Sequence, residues 1–353
     1  MGSMKYENVH LEAFGYEVAP VVVSSSELED RLAPVYDALH LSPGQLEALT
    51  GIAERRWWEE GHRITDGAIV AARRALETAD MPADRVEALI YGGVCREYYE
   101  PATACRVASE LAINPGAVVQ DVSNACLGVL SGIIDVANRI ELGQIRAGMV
   151  VACETAREIN NVMIERMREN PTMDFFKQAL ATLTGGSGAV AVLLTDRGLS
   201  REKRRRLLGG AVESSPRFHD LCRWGVEKAE SSSRELLQAF TSTDSSAVLT
   251  HGVELGARTW RAFLSKLGWV KERVDRVICH QVGGSHRDMI LGLLGLPPEK
   301  DFSTFPYLGN MGTVSLPLTA ALAEDRHVLQ PGDHVAFLGI GSGLNCMMLG
   351  LEW

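Results

Sequence analysis

L-E-T-A-D-M-P-A-D-R-V-E-A-L-I-Y-G-G-V, from Leu76 to Val94, reads as a helix end, a short turn, Arg-Val and then an apolar strand. L-S-K-L-G-W-V-K-E-R-V-D-R-V-I-C-H-Q-V, from Leu264 to Val282, repeats that order, with Arg273 lying 188 residues after Arg85 (273 − 85 = 188). A second echo follows. A small-residue helix after Cys126 leads to the strand Met149-Val150-Val151-Ala152, and a helix after Asn310 leads to Val335-Ala336-Phe337-Leu338. The offset of this echo, 185 residues (311 − 126 = 185), sets Met311 opposite Cys126. Two α/β halves, each a set of buried strands with covering helices, fit a doubled pattern of this kind.

Periodicity fills in the segments between. Residues 64–79 are amphipathic and predict a helix. Residues 102–111 predict another, entered through Pro101 at a favoured first-turn position. The apolar runs 86–91 and 150–152 suit parallel strands covered on both faces. Gly185-Gly186-Ser187-Gly188 is a tight loop feeding a strand over 189–194. Residues 157–178, rich in Met and polar side chains, read as an excursion that covers a pocket. Residues 196–233 read as the link between the halves, which divide the chain into 1–200 and 201–353.

Composition narrows the class. With 46% hydrophobic and 23% charged residues over 353 positions, the chain can bury a large core, which excludes a disordered protein. A formal charge of -10 disfavours polyanions, so no nucleic-acid partner is expected. The basic run Arg201-Glu202-Lys203-Arg204-Arg205-Arg206 reads as a solvated loop, with a contact for an anionic carrier or cofactor as the alternative. Seven scattered cysteines, without C-x-x-C or metal-like spacing to histidine, suit a reduced, cytoplasmic protein. Met1-Gly2-Ser3 ahead of Met4 reads as an appended leader and not a signal peptide. The uncharged stretch 335–351 is broken by glycines and Asn345, so buried strands are expected and no membrane span.

Three polar punctuation marks carry candidate chemistry. Cys126 lies in D-V-S-N-A-C-L-G-V-L-S-G, where small neighbours permit a tight strand-to-helix turn. Sulfur at a helix N-terminus is expected to favour thiolate and act as a nucleophile, although a lone cysteine is more often a buried structural residue. His280 ends an apolar strand before Gln281-Val282-Gly283-Gly284, the position at which parallel strands present ligand-facing groups, or else is a satisfied core imidazole. His286, within a predicted helix, is expected at the surface. Asn310 precedes Met311-Gly312-Thr313 and is by itself a helix cap; its place in the repeat brings it toward the Cys126 turn. Gly339-Ile340-Gly341-Ser342-Gly343 lacks the downstream helix and acidic residue of a dinucleotide fingerprint, so it reads as a turn exposing backbone N–H groups.

Together these motifs resemble the thiolase superfamily, in its ketoacyl-ACP synthase III branch. T-G-I-A-E-R-R (Thr50 to Arg56), N-A-C-L-G, H-Q-V-G, L-G-N-M-G-T-V-S and G-I-G-S-G-L-N are similar to that branch's signatures and stand in its order. E-Y-Y-E-P-A-T-A-C-R-V and A-T-L-T-G-G-S-G-A-V-A-V-L-L-T-D further resemble the OleA group, which joins two fatty acyl-CoA molecules. The resemblance implies an α/β thiolase-like fold of two pseudo-symmetric halves layered α-β-α-β-α. It implies Cys126 as acylated nucleophile, His280 and Asn310 lining the second substrate's pocket, and the backbone N–H groups of Cys126 and Ser342 as oxyanion hole. Glu100 matches a glutamate that reaches the active site from a partner subunit, where it would serve as the base that removes an α-proton. The reaction implied is a non-decarboxylative Claisen condensation of two long-chain acyl-CoA molecules to a 2-alkyl-3-keto acid. Coenzyme A thioesters are the substrates and no cofactor or metal is implied. A homodimer is implied, and downstream hydrocarbon-pathway enzymes are possible partners. Gly283 stands where the branch has asparagine, which counts against the alternative of decarboxylative condensation with malonyl-ACP. A silent structural homologue is the other alternative; the joint presence of Cys126, His280 and Asn310 counts against it.

Overall fold

Runs of aliphatic residues in four- to ten-residue strands build the spine of the computed structural model, which describes residues 4–201, 205–228 and 237–353. The strands of the main sheet are β1 (Val9–Val18), β2 (Ala88–Tyr91), β3 (Val118–Asp121), β4 (Ala147–Glu154), β5 (Gly188–Asp196), β6 (Arg206–Ser214), β7 (Arg276–Cys279), β8 (His334–Gly341) and β9 (Asn345–Glu352). They form nine neighbours in the order β7-β8-β9-β6-β1-β5-β4-β2-β3. β2 runs parallel to β3 and β4, and β7 parallel to β8. β5 and β9 return antiparallel on the two sides. The halves meet where β1 and β6 pair at His10 and Arg206. Read outward from that seam, β6-β9-β8-β7 on one side corresponds to β1-β5-β4-β2 on the other, and β3 extends the second side by one strand.

Side-chain alternation along the strands sets the layers. On β4, Val150 and Ala152 point to a central cluster, whereas Met149, Val151 and Cys153 point to an outer one. On β8, Val335 and Phe337 point centrally and Ala336 and Leu338 outward. The central cluster holds helices α3 (Gly128–Glu141) and α8 (Ser315–Asp325), through residues such as Ile133 and Leu318. One outer cluster holds α1 (Ile64–Ala79) and α2 (Thr103–Leu111); the other holds α6 (Ser245–Leu267) and α7 (Gly284–Leu294). Helices outside, one half of the sheet, helices between, the other half of the sheet, helices outside: this is the α-β-α-β-α arrangement that the family resemblance implies.

The repeat is real, but its second register needs correction. The one-turn 3-10 segments Ala83–Arg85 and Lys271–Arg273 keep the 188-residue offset (271 − 83 = 188). The turns Ala125–Leu127 and Gly312–Val314, which open α3 and α8, are 187 apart (312 − 125 = 187). Thr313, not Met311, therefore stands opposite Cys126; matching by residue type had misplaced the backbone by two positions.

Three further expectations change. Residues 196–233 do more than link: they supply β6 and the strand Cys222–Lys228, which pairs with Leu237–Thr243. The basic run is a structural anchor where it is described. Arg205 is 8% exposed, donates to the Leu11 carbonyl at 2.9 Å and grips both oxygens of Glu324 at 2.7 Å. Arg206 pairs with Glu352 and Arg201 with Asp80; Glu202 to Arg204, Met1 to Ser3 and residues 229–233 lie outside the described residues. Pro101 precedes the cap residue Ala102 and does not sit in the first turn of α2, whose leading amides, Thr103 and Ala104, donate to Asp121. No helix among the described residues is long and apolar enough to cross a membrane.

Candidate active site

The run from Asp121 to Gly132 leaves β3, turns sharply and enters α3. Ala125 takes φ 46°, a left-handed conformation that costs a residue with a Cβ and persists where surrounding contacts enforce it. The enforcement is visible. Asn124 donates to Ser131 Oγ at 2.9 Å and accepts from Asn345 Nδ2 at 3.0 Å. Gly128 lets α3 start hard against the exit of β2, since a Cβ there would fall 1.9 Å from the Gly92 oxygen.

Cys126 stands in the middle of this turn. The residue keeps part of its surface accessible, yet its sulfur is enclosed by protein. Burial pushes the thiol up to about 12, with Cys222 and then Glu154 adding to the shift. The helix-stabilised thiolate expected from the sequence is not what these surroundings favour: Cys126 lies in a 3-10 turn ahead of the α-helix, and burial favours the neutral thiol. The resting group is a thiol.

His280 continues from β7, its N–H donating to the Leu338 carbonyl at 2.9 Å. It is 5% exposed, and its Nδ1 has no hydrogen-bond partner. Burial, with His286 nearby, lowers its pKa to about 3, so the imidazole is neutral and can take part in hydrogen bonds without carrying charge. His286 is not a surface residue: it faces inward from α7, and burial lowers it to about 4.

Asn310 is fixed by its backbone, donating to the Thr184 carbonyl and accepting from Gly186 N, both at 2.9 Å. Its Oδ1 accepts from Gly312 N at 3.0 Å, an Asx turn that leads into the 3-10 turn; the cap residue there is Met311, so the helix-cap alternative is not what the structure shows. It lines a cleft of about 170 Å³ with Thr50, Leu180, Thr184, Val248 and His286. Leu180 belongs to α5 (Met173–Leu183), which with α4 (Arg157–Glu169) forms the expected excursion. His286 also borders a second, apolar space against Gly252, Gly256, Ile290, Ile340 and Met348.

The end of β8 joins these parts. His280 bonds to Leu338 on one side, and a Cβ on Gly341 would approach Cys126 N to 3.4 Å on the other. The Ser342 turn thus follows directly from a residue packed on the Cys126 amide. Thr313, three residues after Asn310, accepts from Val129 N at 2.7 Å and ties the two turns together. Cys126, His280, Asn310 and Ser342 accordingly belong to one contiguous region. Glu100 does not join them: it is exposed, with Tyr98 at 61% and Tyr99 at 91%, and has no hydrogen bond or ion pair among the described residues. Sequence reading overlooked Glu154, a buried carboxylate at the end of β4; its signal was an acidic residue closing the apolar run Val150 to Cys153.

Residues 264–353 match the family model for the C-terminal part of 3-oxoacyl-[acyl-carrier-protein] synthase III. The acyl-CoA:acyl-CoA alkyltransferase of Shewanella oneidensis is 55% identical over 99% of this chain and all of its own length. Its namesake in Xanthomonas campestris is 33% identical over 99% of this chain and all of its own. Solved structures of Xanthomonas campestris OleA superpose with a TM-score of 0.93 at 33% identity, covering 100% of this chain and 99% of theirs; they include forms altered at a cysteine and at a glutamate. Another, at TM-score 0.91 and 32% identity over 99% of this chain and all of its own, holds lauric acid and lauroyl-CoA. With that identity over nearly its whole length, the chain belongs to the acyl-CoA:acyl-CoA alkyltransferases, the OleA family of thiolase-fold condensing enzymes.

Proposed function

We propose that the protein condenses two long-chain acyl-CoA molecules head to head, with no loss of carbon dioxide, to a 2-alkyl-3-keto acid. The thiol of Cys126 gives up its proton as its sulfur attacks the first thioester carbonyl. The carbonyl oxygen gathers charge against the N–H groups of Cys126 and Ser342, and coenzyme A leaves with the transferred proton. The second acyl-CoA enters the cleft with its carbonyl toward His280 and Asn310. Glu100 of the partner subunit removes its α-proton. The enolate carbon then bonds to the acyl carbonyl carbon, the carbon–sulfur bond to Cys126 breaks, and the thiol regains a proton. Water finally cleaves the β-keto thioester to the acid and coenzyme A.

The observation that carries this reading over decarboxylation is at Gly283. Its φ is 153°, and a Cβ would meet the Thr50 carbonyl oxygen at 2.8 Å. An asparagine side chain has no room there, so the departure from the synthase III pattern is built into the backbone. Condensation that expels no carbon dioxide needs a base for the α-proton, and Glu100 on an exposed, anchored loop is suited to reach a second subunit. Lauroyl-CoA in the Xanthomonas campestris structure supports a long acyl-CoA as substrate. Incubation with a long acyl-CoA alone tests the proposal: coenzyme A is released with a branched β-keto acid or its ketone. Release that depends strictly on malonyl-ACP would refute it.

A further inference from the structure

Among the described residues, Glu154 is a buried carboxylate that acts electrostatically on Cys126 and that the reaction above leaves unused. It is 4% exposed at the end of β4. Val94 N donates to its Oε1 at 2.8 Å and Cys95 N to its Oε2 at 3.1 Å. On its other side lies the turn after Asn310: a Cβ on Gly312 would sit 3.5 Å from Oε1, and the Thr313 amide is near enough to favour the ionised carboxylate. Thr313 in turn accepts from Val129 N in the first turn of α3 at 2.7 Å. Burial raises the carboxyl's pKa, while the donors around both oxygens favour the ionised form.

The segment so held leads to Glu100. Tyr91 fixes the same stretch by donating to the Cys95 carbonyl at 2.7 Å. Farther on, Glu97 accepts from Thr65 Oγ1 at 2.5 Å, and Asp121 accepts from Thr103 and Ala104 N at 2.9 Å. Val94 and Arg96 also meet solvent along the stem, and the tip from Tyr98 to Pro101 is exposed at every residue. Its reach is therefore set by where those anchors sit, and Glu154 is the anchor that also touches the Asn310 turn.

We infer that Glu154 is a positioning residue for condensation: it registers the Glu100 loop against the turn after Asn310 and, through Thr313, against the helix start that carries Cys126. The inference rests on Glu100 being the base proposed above. Since that loop serves the neighbouring subunit, Glu154 links a protomer's own nucleophile turn to the placement of the base it lends.

Glu154→Gln keeps the shape and removes one of the paired acceptors. Its acyl adduct on Cys126, followed by mass spectrometry after acyl-CoA addition, should form within about threefold of the native rate. Condensed product should fall at least tenfold, and Glu154→Asp should recover part of it. The pH midpoint for alkylation of Cys126 by iodoacetamide should move down, because a buried negative charge no longer opposes the thiolate. Product formation within twofold of native would overturn the inference while leaving the reaction itself standing; so would an equal loss of both steps. A native enzyme that forms no adduct overturns the reaction as well. Should the variant not fold, hydrogen exchange on the native protein decides: Val94 and Cys95 amides exchanging as fast as those of Tyr98 and Tyr99 would remove the anchor.

Discussion

A thiol enclosed by protein ionises reluctantly, and the resting state of Cys126 follows from that. Alkylation by iodoacetamide should be slow at neutral pH and climb into the alkaline range, and Cys126→Ala should abolish the acyl adduct; rapid alkylation at pH 7 would contradict an enclosed sulfur. His280 supplies the converse. Its folded pKa of about 3 lies below the usual value of about 6.5, so between the two the unfolded chain binds a proton that the folded chain refuses. Stability is then whole above about pH 6.5 and is lost as pH falls, by up to about 1.4 kcal/mol per pH unit from this group. Urea midpoints at pH 6.5 and 4.5 should differ less in His280→Asn than in the native protein, with His286 contributing a remainder of the same sign. Residue types at the site were legible in the sequence because glycine and small neighbours mark the turns. Ionisation was not, because burial is a property of the folded surroundings: the same letters that suggested a thiolate enclose a thiol.

Among the elements, the loop between β2 and α2 and the segment after β7 carry opposite lessons. The loop presents Glu100 on a solvent-facing tip whose stem is pinned by Glu97, Glu154 and Asp121. Glu100→Gln should leave the melting temperature and Cys126 acylation near native and lower condensation at least a hundredfold; a product rate near native would remove Glu100 as the base. After β7 the backbone itself is the constraint. Gly283→Ala forces a Cβ against the Thr50 oxygen at an unfavourable φ, a strain of about 1–3 kcal/mol, so thermal stability should fall and the cleft shared by Thr50 and Asn310 should be distorted. A variant as stable and active as the native protein would show that this backbone is not held. Helix α1 was readable to the residue from its apolar period, since one face packs on the strands. The role of β6 was hidden, because its pairing partners β9 and β1 lie far away along the chain and the charges of Arg205 and Arg206 masked a strand.

At the scale of the molecule, the doubled pattern makes a central layer that belongs to both halves. α3 and α8 pack between the sheets, and Ile133 shares its cluster with Val150 from one side and Phe337 from the other. The repeat was visible because each half must bury the same kinds of faces; its two-residue slip was not, because Met311 and Thr313 are both compatible with a turn. A shared layer implies shared unfolding. Ile133→Ala removes side-chain atoms from an interior that both sheets line, which should cost about 2–5 kcal/mol. Since neither half keeps its inner face covered without the other, that loss should lower one transition for the whole chain. Tryptophans report on separate regions: Trp58 lies in the outer layer with α1, Trp260 and Trp269 in the outer layer with α6. Single-tryptophan variants carrying Ile133→Ala should therefore show coincident urea transitions, both shifted from their parents by the same amount. Two separated transitions, or a shift seen from Trp58 alone, would mean that the halves are independent bodies that merely touch along β1 and β6.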